Sequence, residues 1–212
     1  MKLVSVGLAR SIYFFDTNEL NPGGKDIFTE VVPAFTEEYN FNVVPQPGGD
    51  FKGGMKFANG SFVNKRGETL VVSATIWSDG VGADSFSSTA DSDEFLEEAL
   101  GMLPDLGFAY DTSMIRRKGY LSQLHVKSSV DLGVLNPKLT EIASKLSLIS
   151  HIPFSVAAVE LWPDQTQSNK PANFSLQRKI GEPPSSDRYW SQAGMPTDKH
   201  LQLLEEIETL LR

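Results

Sequence analysis

Between residues 55 and 88 three extended runs follow one another with almost no chain between them: MKFANGSFVN, TLVVSATIW and ADSFSS. Connections this short can join antiparallel strands. They cannot carry the crossover that parallel strands need, which takes about a dozen residues or more. Asn59-Gly60 suits a two-residue type I′ turn, because both central positions need positive φ. That register places Phe57 opposite Phe62 on one face. Residues 65–68 (KRGE) and Asp79-Gly80 supply two further turn signals. An antiparallel meander is therefore expected, with Thr69–Trp77 as its central strand.

The flanking sequence adds strands and helices in alternation. Residues 2–15 read as strand, and 18–25 as a loop. In DIFTEVVPAFTEEYN, Phe28, Val31, Val32, Phe35 and Tyr39 recur at helical spacing, with Pro33 either kinking the helix or lying in the first turn of one that starts near Val32. A short strand at 41–44 and a loop at 45–54 follow. The spacing predicts a helix over 92–103, with Phe95, Leu96, Ala99, Leu100 and Leu103 inward. Asp91 is its cap, and Glu94 completes a capping box. Residues 118–130 alternate as a strand. Asn136-Pro137 starts a helix whose Leu139, Ile142, Leu146 and Ile149 are expected inward. Residues 153–162 and 174–180 form a long hairpin around a polar loop at 163–173. After loops at 181–188 and 188–196, Thr197 caps a last helix striped by Leu201, Leu204, Ile207 and Leu211. The fold class is α+β: a mainly antiparallel sheet, meander plus later hairpin, with about four helices packed mostly on one face. A chain of 212 residues suits a single domain, its weakest join near 104–113.

Composition narrows the chemistry. The chain has no cysteine, which excludes disulfides, thiolate nucleophiles, iron–sulfur clusters and cysteine-based zinc sites. No run reaches the roughly 18 apolar residues of a membrane span. Arg10 interrupts the N-terminal apolar run too early for a secretory leader. A cytoplasmic location without a membrane partner is the expectation. A net charge of −8 disfavours nucleic acid as a partner, although Arg116, Arg117 and Lys118 form a basic run.

The charge is uneven. Between Arg66 and Arg116 there is no Lys or Arg, while ten acids occur. Seven of them fall in DGVGADSFSSTADSDEFLEE, residues 79–98. Ligand spacing fails the EF-hand pattern from either Asp79 or Asp91. Turn chemistry and helix capping account for the loop. A cluster of Asp79, Asp84 and Asp91 is the candidate site for a divalent metal. The helix after it sets Asp93, Glu94, Glu97 and Glu98 on one face, where like charges destabilise by about a few tenths of a kcal/mol per pair. Such a stripe suits a basic protein partner. Tyr189 and Trp190, in RYWSQAGMP, are a second candidate contact.

No His-Glu-x-x-His, Gly-x-Ser-x-Gly, phosphate-loop or dinucleotide motif occurs. His125, in an alternating strand, and His200, in the first turn of the last helix, are the candidate catalytic bases. The reading is a non-catalytic interaction module, inhibitor- or immunity-like or an assembly subunit, that presents an acidic surface to a basic protein and needs no cofactor. The alternative is a metal-dependent enzyme, a hydrolase using the aspartates near 79–93. Oligomeric state is left open.

Overall fold

The computed structural model describes residues 1–49, 52–182 and 186–211. The parts of the expected loops at 50–51 and 183–185 lie outside the described residues. Among the described residues the chain forms β1 (Lys2–Phe14), α1 (Ile27–Tyr39), β2 (Met55–Val63), β3 (Thr69–Trp77), β4 (Gly80–Ser85), α2 (Thr89–Gly101), β5 (Arg117–Lys127), α3 (Pro137–Ser150), β6 (Ala158–Leu161), β7 (Phe174–Arg178), β8 (Arg188–Ala193) and α4 (Thr197–Leu210). The sheet is open and antiparallel, in the order β2-β3-β4-β1-β5-β8-β7-β6. The fold is thus α+β with a mainly antiparallel sheet. The chain divides into two compact units: an inner unit, Leu8–Ser122, and a terminal unit made of Met1–Gly7 and Gln123–Arg212. The expected join at 104–113 falls inside the inner unit.

In the inner unit the meander is β2, β3 and β4, but its first turn is absent. Asn59-Gly60 lies within β2 as a bulge: Phe57 pairs with Ala74 and Gly60 with Val72, so two residues face one. Asn59 supplies the left-handed conformation at φ 56. The reason is the spacing of the two aromatics. Phe57 and Phe62 are five apart, so a regular strand would send them to opposite faces. One extra residue brings both into the core. Gly60 also admits Phe41, whose ring comes within 2.4 Å of where a β-carbon would stand. Of the strand expected at 41–44, only a bridge from Val43 to Ala58 forms. β3 is interior, though one strand in from the sheet edge. The β3–β4 hairpin turns on Ser78-Asp79, one residue earlier than expected, with Trp77 opposite Gly80.

Two helices cover this sheet. α1 starts at Ile27 rather than near Val32. The Asp26 side chain accepts from the Phe28 N–H, and the helix runs through Pro33. Pro33 is exposed, so water can reach the carbonyl it leaves unpaired. α2 begins three residues earlier than expected. Its cap is Ser88, whose Oγ accepts from the Asp91 N–H and donates to Asp91 Oδ2 at 2.7 Å. Asp91 is thereby a buried residue of the first turn. Phe95, fully buried, meets the rings of Tyr39, Phe41 and Phe62 at centroid distances of 5.0, 6.4 and 5.6 Å.

The terminal unit has a smaller core of Leu124, Val126, Val130, Leu132, Leu176, Tyr189, Leu204 and Leu211. α4 presents its expected stripe to this core. Its cap position is Pro196, however, and Thr197 is the first helical residue, with no side-chain cap bond. Residues 188–193, expected as loop, are strand β8. Tyr189, Ser191 and Ala193 alternate into the interior, a period-two signal present in the sequence. The largest departure is α3. Asn136 caps it as expected, but its stripe is not inward: no residue of the helix is buried, and Ile142 and Ile149 are 52% and 78% exposed. The unit's core is closed by α4, and only Ala143 and Ser147 of α3 are partly covered.

Candidate functional site

A concave feature with an apolar lining lies in the inner unit. A cavity of about 630 Å³ opens between the β3–β4 hairpin, α1 and α2. Its inner wall is the apolar face of α2, chiefly Phe95, Leu96, Ala99, Leu100 and Leu103, with Val31 and Phe35 of α1 beside it. Ala74, Ile76 and Val81 form the sheet side. These residues take that position because helical and strand periodicities place them there, as core residues would be. Two of the wall positions, Ala74 and Ala99, carry only a methyl group.

The rim is polar: Thr17, Asn18, Asn21, Lys52, Ser78 and Asp79. Several are held in place. Thr17 Oγ1 donates to the Trp77 carbonyl at 2.8 Å. Asn18 donates to Asp16, and the Asn21 amide spans the backbone of Lys25 in both directions. Trp77 Nε1 donates to the Gly53 carbonyl at 3.1 Å. Gly54, at φ 89, allows that close approach, since a β-carbon there would strike the Trp77 ring. The exposed Asp79 carboxylate has no hydrogen-bond partner among the described residues, and Lys52 supplies a cation on the same rim. A dry wall with a few polar groups at its mouth is the usual make-up of a small-molecule site, for which about 300–1,000 Å³ is typical.

The residues singled out from sequence lie elsewhere, apart from Asp79. Asp84 pairs with Arg10 on β1. Asp91 is held by Ser88, by Asn64 at 3.0 Å and by Arg66 at 2.8 Å. Burial pulls its pKa upward. The hydrogen bonds from Ser88, Ser87 and Asn64 and the Arg66 charge outweigh that pull and leave it below the ordinary carboxylate value. Among the described residues no group of three or more His, Asp or Glu is placed to hold a metal ion.

The acidic stripe of α2 is tied into its own unit. Glu94 accepts from the Lys65 N–H. Glu98 accepts from the Tyr39 hydroxyl at 3.2 Å. Glu97 lies 3.4 Å from Lys118 Nζ, which also donates to the Tyr13 hydroxyl at 2.8 Å. Asp93 accepts from Tyr120, while its Oδ1 is buried without a hydrogen-bond partner among the described residues. Burial, then the Asp93 charge and hydrogen bond, push the Tyr120 hydroxyl up to about 12. Burial together with the charges of Asp93 and Glu97 raises Tyr13 further still. These tyrosines therefore stay protonated and act as donors to the acids.

In the terminal unit Tyr189 is buried, its hydroxyl on the Val130 carbonyl at 2.7 Å, while Trp190 is half-buried. His200 is fully buried, with Nε2 2.8 Å from Ser191 Oγ. Burial lowers its pKa to about 4. Its ring links α4 to Ser191 of β8 within the core of the terminal unit. His125 lines a smaller pocket of about 300 Å³ with Ser5, Lys179 and Arg188, and its buried Nδ1 has no hydrogen-bond partner among the described residues. Both cations there already pair with Glu182, at 3.0 and 3.3 Å.

Sequence reasoning missed the cavity. Its wall residues obey the same periodicities as packed core, and no local signal separates the two. No protein-family model matches the chain and no curated protein matches it, so the reading of the site rests on its geometry.

Proposed function

We propose that the inner unit binds a small amphiphilic molecule, its apolar body against α2 and its polar end at the Lys52–Asp79 rim. The observation that carries this is the apolar cavity of about 630 Å³ in a core whose aromatic rings pack edge-to-face and tilted against one another. Sealed and empty, such a space would cost roughly 15 kcal/mol at about 24 cal/mol per Å³. That equals the upper end of a whole domain's stability, about 5–15 kcal/mol. The opening to water relieves that cost, and an apolar occupant that displaces the water stabilises the unit by mass action.

Straight-chain carboxylates of increasing length are suitable probes, and Trp77 at the rim is an intrinsic reporter. The expectation is saturable binding with a change in Trp77 emission that W77F removes. A99L should fill the space, abolish binding and leave Tm unchanged or raised. Absence of saturable binding at every chain length would refute the proposal. So would a Tm several degrees lower in A99L, since the wall would then have been packed already.

A second reading, docking of a basic protein on α2, draws on Glu97 and Glu98, which remain exposed on a segment without bases. It would have to compete with Lys118 and Tyr39 for these carboxylates. Reversal to E97K/E98K should then weaken retention of polylysine at least several-fold with the fold intact. Equal retention by both proteins would discard docking through this stripe.

A further inference from the structure

The geometry points to a second copy of this chain as the occupant of the exposed face of α3, joined to it helix against helix. Leu139, Ile142, Leu146 and Ile149 lie at intervals of 3, 4 and 3 residues, and Leu135 continues the stripe by 4. That is the repeat of about 3.5 residues by which one helix seats on another. All five are exposed. With Val134, Ile152 and Phe154 at its ends, the stripe leaves roughly 800 Å² of side chain exposed, judged from the fractional exposures of these eight residues. The largest such patch on a typical monomer is about 300–600 Å², and each partner of a standard stable interface contributes about 800 Å². The area suffices for a dimer.

The occupant must itself be a helix with a free stripe of matching period. Among the described residues, α1, α2 and α4 spend their apolar faces on their own cores. α3 alone has its stripe unspent, so its match is another α3. Charge favours the same answer. The terminal unit holds ten acids and ten Lys/Arg, so it has no net field to draw a charged partner and none to repel its copy. Beside the stripe, Glu141 and Lys145 already pair with each other at 2.6 Å. A twofold axis makes one self-complementary patch serve both subunits.

The test is sedimentation velocity of the full chain from about 1 to 100 μM, a range that spans weak to firm association. Wild type should convert to dimer, I142E/L146E should stay monomeric, and L210E, at a still more exposed leucine of α4, should dimerise like wild type. Far-UV circular dichroism checks the folding of each variant. Should the double variant unfold, I149E, at the most exposed position of the stripe, repeats the test. A wild type that stays monomeric over the range, or a dimer that the α3 variants leave intact, overturns the inference.

Discussion

Phe95 on α2 and Ile149 on α3 are both large apolar residues on the apolar stripe of an amphipathic helix. Phe95 is fully buried among three aromatic rings, whereas Ile149 is 78% exposed. The same contrast runs through their units. The inner unit carries 17 acids against 9 Lys/Arg, yet it ties the acids of α2 to its own tyrosines, Lys118 and a backbone N–H. The terminal unit is electrically neutral and leaves an apolar helix uncovered. Amphipathicity therefore reports that a face exists. It does not report whether the chain itself covers that face, and a charge run does not report whether its charges are free.

The widest gap between the units should appear on truncation. F95A removes a ring in contact with three others and should cost about 3–5 kcal/mol, the usual range for a buried aromatic. I149A should change stability by no more than about 0.5 kcal/mol, as at other exposed positions. Urea unfolding of the two variants, at a concentration below any self-association, measures both. Equal losses would mean that α3 is packed within its own subunit, and the contrast would collapse.

Acid should separate the units by a smaller amount. His200 falls from its ordinary value of 6.5 to about 4 on folding, through burial, so the unfolded chain takes up the proton first. Its contribution is complete above pH 6.5 and drains away as pH falls toward 4, up to about 3 kcal/mol at roughly 1.4 kcal/mol per pH unit. Asp91 is also depressed, from 3.8, so its contribution persists above that value and is lost only as pH falls through the lower, folded one. Hydrogen exchange at pH 7 and pH 5.5 should therefore show protection falling in β8 and α4 while β3 and α2 hold. H200Q should flatten that difference. Uniform loss across both units would show that His200 does not set the acid limit of its unit.

Much of the framework was legible in the amino-acid order. The short connections between 55 and 88 require antiparallel neighbours, Asn136-Pro137 marks a helix start, and the stripes of α1, α2 and α4 name their own core residues. These are signals carried by residues within about four positions of one another, where backbone dihedrals and side-chain periodicity decide the outcome. The candidate site was legible only at Asp79, read as a metal ligand and found on the cavity rim.

Where two local outcomes were equally good, the distant chain chose between them. Asn59-Gly60 can make a turn or a bulge. The demand that Phe57 and Phe62 share the core with Phe95, more than thirty residues away, selects the bulge. Ser88 rather than Asp91 caps α2 because Asp91 is engaged by Asn64 and Arg66 of the β2–β3 turn. The cavity is walled jointly by residues of α1, β3, β4 and α2, and the core of the terminal unit takes its helical residues from α4 while α3 buries none. By itself the sequence determined which faces are apolar, where the chain turns and how charge is spread, since these depend on neighbours along the chain. Which faces are covered, which charges are paired and where space is left depend on residues tens of positions apart, and only the tertiary structure decided them.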